Sequence, residues 1–446
     1  MSSSVHCGSF EAERYWREEE LAALPALPDA GAMSVISALD EMLFVFCRSG
    51  DILLTRHGMN RAQYDYLHSL GYAFKVNLEP LTTNSGEGSE AQEGMNVFQL
   101  LEGLTLEDPA GALIPEGAAL EPFAVLPGAT RMVQRYRLLP DLPDEQTVRR
   151  VNTKVYSIAM RDRLSLPNVG IVVRSSEDLL EKGLELLGNG PFLIKDDYGV
   201  SGKGNQTVDS ESILRRLAKY LESGRNKAKK IRFVLEPLLD RETDFSCQFC
   251  IDQAGTVTIL SVQQLINNGF AFGESQSPYA ALLERLNRER YFELMHRIGN
   301  ELYADGYFGH VCVDSMLLRD GTLAPLVEIN ARKSMSLIKY GFDCYLGEAD
   351  IRTCLIQAAL LAREDACYPA LLEQMEQAGI LFAKETGEGV LPLTSGALNP
   401  PGMARSSGPR KGKLYAALAY HDEGHKKQLL DKLGPALQST GFTMLR

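Results

Sequence analysis

The stretch "VDSMLLRDGTLAPLVEINAR", residues 313–332, decides how the chain is read. Apolar residues flank "RDGT", whose residue types favour a turn, so "HVCVDSMLL" and "LAPLVEIN" read as the two arms of a hairpin. Glu328 comes fourteen positions after Asp314, enough for a strand end, a turn and a return. The two carboxylates can then lie side by side on one face of the sheet. Glu328 and Asn330, at i and i+2, share that face. Two carboxylates and an amide oxygen are hard-oxygen ligands suited to Mg2+. The alternative is a sheet edge with solvated acids. Arg332 and Lys333 follow, so one strand end carries an acid, an amide and two cations.

Working outward, "PFLIKDDYGVSGKGN" places Lys195 at the end of an apolar strand, with Gly199, Gly202 and Gly204 close behind. Glycines let backbone N–H groups close around phosphate oxygens, and a strand-borne lysine can meet one as a point charge. Lys203 is followed by Gly204 rather than Ser or Thr, so the spacing is not a Walker loop, nor is it the dinucleotide fingerprint. An ordinary glycine-rich hairpin is the alternative. Lys154, in "NTKVYSIAM", is a cation beside the apolar stripe of a helix. In "VLEPLLDRETDFS", Glu236 ends a strand against Pro237 and Asp244 begins the next. Such a crossing can offer backbone groups to an adenine and a carboxylate to ribose hydroxyls.

In this order and spacing the five pieces resemble an ATP-grasp fold over about residues 146–360, an α/β architecture in which two α+β subdomains grip ATP. The resemblance implies Mg2+, or Mn2+ in its place, on Asp314, Glu328 and Asn330. It implies nucleotide lysines at Lys154 and Lys195, and a flexible loop over the triphosphate at Gly199, Ser201, Gly202 and Gly204. Glu236 and Leu238 fall at the adenine hinge and Asp244 at the ribose acid. Arg332 matches the arginine that holds the transferred phosphate or substrate carboxylate, and with Lys195 it is the expected catalytic pair. One departure is Cys312, where D-alanine ligases commonly carry an arginine two positions before the metal Asp. The domain layout, "NTKVYS" and "EINARKS" resemble peptide ligases with a pre-grasp domain, of the pheganomycin and butirosin carrier-protein types. That implies an ADP-forming carboxylate–amine ligase of specialised, antibiotic-type metabolism, taking amino acids or peptides, with an acyl-carrier protein as a further partner. A kinase acting on a hydroxyl and a nucleotide-binding protein without chemistry are the alternatives. The intact Asp–Glu–Asn set speaks against the latter.

A chain of 446 residues exceeds one compact core. The expected layout is an N-terminal extension at 1–35, a pre-grasp α/β domain at 36–145, the grasp domain at 146–360, and a helical or α+β segment at 361–446. In the first domain "LFVFC", "GDILLT" and "ALEPFAVLPG" read as strands and "NRAQYDYLHSLG" as a helix. Helices are expected over 281–303 and from 348 to 376, and a strand followed by a helix at the C-terminus. The net charge of −12 argues against nucleic-acid partners. Eight scattered cysteines without a signal peptide read as free thiols of a reducing cytosol, and no run approaches the ~18 apolar residues of a membrane span. A homodimer is left open.

Lesser features read blandly. Cys247 and Cys250, three apart on a strand, face opposite ways, and His421 and His425 of "HDEGH" read as surface residues beside a helix-capping Asp422. "RNKAKK" is a solvated face or a docking patch for an acidic carrier. The segment 394–413, with Arg405, Arg410 and Lys411, is a linker or a lid over a charged substrate. Gln263, Asn267, Asn268 and Ser334 are polar candidates around the substrate.

Overall fold

Three sheets carry the fold in the computed structural model, which describes residues 3–25, 29–82, 94–105, 107–167, 170–200, 203–269, 271–347, 351–400 and 409–445. The first is parallel, with β1 (Ser4–Cys7), β2 (Ile52–Leu53), β3 (Lys75–Val76) and β4 (Ala119–Pro122) in the order β3-β2-β1-β4. Its strand β1 comes from the acidic N-terminal stretch, where Val5 and Cys7 are fully buried. "GDILLT" and "ALEPFAVLPG" supply strands of this sheet, and Asn60 caps the expected helix Arg61–Ser69. "LFVFC", expected as a strand, instead winds into a 3-10 helix over Asp40–Phe46. A short apolar run satisfies either period. The acids beside it decide, because Asp40 accepts from the Arg56 N–H and Glu41 from the N–H groups of Ser395 and Gly396.

The second sheet is antiparallel: β5 (Ile171–Val173), β6 (Phe192–Val200), β7 (Lys203–Val208) and β8 (Phe233–Pro237), in the order β5-β8-β6-β7. Helices Ser176–Leu187 and Glu211–Leu221 cover one face, packing Leu179, Leu214, Leu217 and Leu221 onto Phe192, Ile194, Phe233 and Leu235. Ser175 caps the first helix, accepting from Asp178 N at 3.0 Å.

The third sheet has nine antiparallel strands: β9 (Arg241–Ile251), β10 (Val257–Asn268), β11 (Ala271–Gln276), β12 (Gly309–Leu318), β13 (Leu323–Asn330), β14 (Arg352–Ala362), β15 (Gly389–Pro392), β16 (Arg410–Tyr420) and β17 (Phe442–Met444). Its main path runs β13-β12-β9-β10-β11-β14-β16-β15, with β17 against β14. The 313–332 hairpin forms as read, with Asp314 opposite Glu328 and Cys312 opposite Asn330. Alternation along β9 buries Phe245, Cys247, Phe249 and Ile251 on one face, each aromatic contributing about 2–3 kcal/mol, and leaves Asp244, Ser246 and Gln248 for the other.

Two expectations are corrected here. The single helix over 281–303 is two, Ala280–Arg288 and Tyr291–Ala304, broken where Arg290 takes a left-handed φ of 57°. Residues 352–362, expected to be helical, form β14 between β11 and β16. "RTCLIQAALLA" is so largely apolar that it carries neither period clearly, and pairing on both edges decides it. A helix, Tyr368–Gln377, follows. At the C-terminus β16 leads into helix Glu423–Ser439, capped by Asp422 accepting from His425 N at 2.9 Å. Of the 394–413 segment, residues 401–408 lie outside the described residues, Arg405 among them.

The short helix Ala12–Trp16 and the residues after it touch all three sheet regions. Trp16 Nε1 donates to Val125 O at 3.0 Å, just beyond β4. Arg17 pairs with Asp196 on β6, and Glu18 accepts from Arg232 at 3.1 Å. Glu13 reaches the end of β13, where it meets Arg332.

Candidate active site

Between the second and third sheets lies a cleft of about 520 Å³. Lys154, Lys195 and Gly199 line it, and its acids are Asp244, Asp314 and Glu328, with others at Glu13, Glu236 and Asp240. Asn330, Arg332, Glu236 and Leu238 also line it, so residues dispersed through the sequence converge on one wall-to-wall site. Gly204 lies beside this wall at φ +91°, where an added Cβ would stand 3.0 Å from Gly199 Cα. Ser201 and Gly202 lie outside the described residues.

Lys195 and Glu236 sit on neighbouring strands β6 and β8 and form a buried ion pair. Arg161 Nη2 holds the second Glu236 oxygen at 2.6 Å. Burial works against the charge on Glu236, but Lys195 and Arg161 together hold its pKa below the ordinary glutamate value. Beyond Pro237 the chain crosses to the third sheet, with Leu238 N donating to Pro191 O at 3.1 Å and the Leu238 side chain exposed to the cleft. At the far side of that crossing Asp244 Oδ2 accepts from Arg241 and Asn267 at 3.0 and 2.9 Å. Its buried Oδ1 has no donor among the described residues.

Lys154 opens the helix Lys154–Arg163, behind a Thr153 cap. Its Nζ donates to Gly199 O at 2.8 Å and to Glu328 Oε1 at 2.9 Å, linking the end of β6 to the hairpin acids. Burial opposes its charge, yet Glu328 keeps its pKa above the ordinary lysine value. Across the hairpin, burial and the Glu328 charge push Asp314 up to about 7, while Asn330 Nδ2 donates to its Oδ2 at 2.9 Å. Two facing acids and an amide form a donor set whose negative charge a divalent cation would neutralise. The residues fit Mg2+.

Arg332 is held by a partner the sequence did not reveal. Its Nε and Nη2 both donate to Glu13 Oε1, at 2.9 and 2.6 Å, and Nη2 also reaches Asn330 Oδ1 at 3.2 Å. Its guanidinium lies 5.6 Å from the Phe123 ring centroid. Glu13 stands 319 residues away with no motif around it, and Arg161 reads from sequence as a helix-end cation, so neither gave a signal.

Lys333 turns the other way. Its Nζ donates to Glu121 Oε2 at 3.2 Å and Pro122 O at 2.8 Å, on the wall of a second cavity of about 290 Å³. Arg332 lines this cavity too, with His310 and Cys250. Burial and Lys333 push His310 down to about 3, so its ring is neutral near pH 7, and its buried Nδ1 has no partner among the described residues. Ser334 caps helix Met335–Leu346, accepting from Leu337 N at 3.1 Å. Of the other polar candidates, Gln263 is buried, Asn267 braces Asp244, and the Asn268 side chain lies outside what is described. All eight cysteines are free. Among the described residues no helix is long and apolar enough to cross a membrane.

No protein-family model matches the chain. It is similar to the [butirosin acyl-carrier protein]–L-glutamate ligase of Niallia circulans, 27% identical over 216 residues, or 47% of this chain and 50% of the relative. The chain thus spans about half the length of the curated relative it matches. Three solved structures superpose along nearly the whole chain. N5-carboxyaminoimidazole ribonucleotide synthetase in its ADP complex gives a TM-score of 0.53 at 12% identity, covering 98% of this chain and 97% of that one. L-amino acid ligase from Bacillus licheniformis gives 0.50 at 13%, covering 99% and 98%. The biotin carboxylase domain of Hydrogenobacter thermophilus 2-oxoglutarate carboxylase gives 0.55 at 14%, covering 100% and 92%. These likenesses bear out the fold read from the 313–332 hairpin and its four companion pieces: by fold, the chain is an ATP-grasp protein.

Proposed function

We propose that the protein is an ADP-forming carboxylate–amine ligase that uses ATP and Mg2+. The observation that carries this is the convergence of Lys154, Lys195 and Arg332 with Asp314, Glu328 and Asn330 on one cleft. The adenine lies along Glu236–Leu238, and the ribose donates to the free Oδ1 of Asp244. Lys195, Lys154 and the glycine turn hold the phosphates.

The chemistry explains the residue types. A carboxylate attacking a triphosphate is an anion meeting an anion, and the three cations lining the cleft offset that repulsion. Mg2+ held by Asp314, Glu328 and Asn330 would supply further positive charge at the phosphate oxygens. The carboxylate oxygen bonds to the γ-phosphorus as the bond to ADP breaks, giving an acyl phosphate. Arg332, oriented by Glu13, holds the carboxylate and then the transferred phosphoryl group. The amine then bonds to the acyl carbon, phosphate leaves, and the nitrogen loses a proton to give the amide. Excluding water matters because the acyl phosphate would otherwise hydrolyse.

The second cavity, sharing Arg332 with the cleft, is where we place the amine. The Glu121 carboxylate and neutral His310 can accept its N–H groups. Holding the carboxylate in the cleft and the amine beside it could supply on the order of 7–11 kcal/mol of the barrier. The relative from Niallia circulans is named for L-glutamate and a butirosin acyl-carrier protein, which supports an amino-acid substrate and an acyl-carrier protein partner in specialised metabolism. The test is a screen for ADP release across free amino acids, dipeptides and carrier-bound acids. One amino-acid class should stimulate release, and no stimulation by any of them would overturn the reading.

A further inference from the structure

Far from the cleft in sequence, the "HDEGH" stretch meets the turn before β15. His421, His425 and Glu388 place two imidazole nitrogens and a carboxylate oxygen within 4.8 Å of one another. Both imidazoles address the same atom: Glu388 Oε2 lies 2.8 Å from His421 Nε2 and 3.7 Å from His425 Nδ1. The rings stack, with centroids 5.5 Å apart and planes 25° from parallel. Tetrahedral Zn2+ with bonds of roughly 2.0–2.1 Å needs ligand atoms about 3.4 Å apart, and the two measured separations bracket that distance.

The backbone holds the cluster in place: Asp422 accepts from His425 N at 2.9 Å, and the His421 backbone N–H lies 3.4 Å from His425 Nδ1, long for a hydrogen bond. A cation is a partner that the two ring nitrogens and the carboxylate could share. Borderline-soft nitrogen with one carboxylate selects a first-row transition ion over Mg2+ or Ca2+. His421 is 62% exposed, so an ion reaches the site directly from solvent.

The geometry points to a surface Zn2+ site formed by Glu388, His421 and His425, separate from the cleft and with at least one coordination position open. It ties the turn before β15 to the start of helix Glu423–Ser439, next to the paired strands β15 and β16. The ion would brace the C-terminal part of the large sheet without entering the cleft.

The test is equilibrium dialysis of the untagged full-length chain against Zn2+ with Mg2+ in excess, so that the cleft acids are competed. One Zn2+ per chain is expected, with affinity reduced at least about tenfold in His421→Gln and in Glu388→Gln. Zn2+ should also raise the melting temperature of the native chain and leave that of His425→Gln unmoved. Because the three side chains lie at the surface, these variants should fold and can be compared directly. Absence of bound Zn2+ in the native chain, or equal binding by His421→Gln, would reduce the cluster to an imidazole–carboxylate ion pair and overturn the proposal.

Discussion

Arg332 and Glu13, 319 residues apart, meet through two hydrogen bonds to a single carboxylate oxygen. The contact brings the N-terminal helix to the strand end that carries Glu328 and Asn330. It orients the guanidinium that the proposed reaction needs. Glu13→Gln keeps an acceptor but leaves the buried guanidinium without its counter-charge. Steady-state kinetics should show kcat/KM for the carboxylate substrate falling at least about tenfold, with the KM for ATP nearly unchanged. An equal loss for both substrates would give Glu13 a merely structural role.

Lys195 and Arg161 share Glu236, so removing one cation leaves the other to hold the acid. Lys195→Met should therefore fold, keep Glu236 paired with Arg161, and raise the KM for ATP by about tenfold or more. ATP binding followed by calorimetry checks this, and unchanged affinity would take Lys195 out of the nucleotide site.

Gly204 adopts φ +91° against Gly199 Cα and Asp196 Cβ. Gly204→Ala combines a strained backbone, costing about 1–2 kcal/mol, with a crowded Cβ. The strain falls beside Gly199, whose carbonyl Lys154 holds, so ATP affinity should drop several-fold while the melting temperature moves by only a few degrees. A global loss of folding would show that Gly204 supports the core rather than the ligand.

Glu41 joins the 3-10 helix of the first domain to the 394–396 segment, accepting from Ser395 and Gly396. Burial pushes its pKa up to about 7, although the hydrogen bonds from Ser395 pull the other way. The folded chain therefore holds this proton more tightly than the unfolded chain does. The contribution is complete below about pH 4.5 and is lost as pH rises towards 7, on the order of 3 kcal/mol in all. Melting temperatures measured from pH 5 to 8 should fall more steeply for the native chain than for Glu41→Gln. Parallel slopes would contradict the assignment.

The legible parts of the fold were those with a local period or a countable loop. The Asp314–Glu328 pairing follows from a separation of fourteen positions along the chain, and alternation alone marks β9. Residues 352–362 misled because a strand paired on both edges and largely apolar has no clear alternation to read. β1 is four residues long and owes its place to neighbours from residues 52–53 and 119–122, so its own sequence says little. The site was legible where a residue sat in a spaced motif. Glu13, Arg161 and Lys333 gain their roles from contacts across 319, 75 and 212 residues, which no local pattern encodes.

Product analysis tests the central claim most directly. Incubated with ATP, Mg2+ and the amino acid identified by the ADP-release screen together with its co-substrate, the native chain should yield ADP, free phosphate and amide in equal amounts. Glu328→Gln, folded by circular dichroism, should yield none of them. ADP without free phosphate, accompanied by a phosphorylated acceptor, would make the protein a kinase and contradict the ligase account.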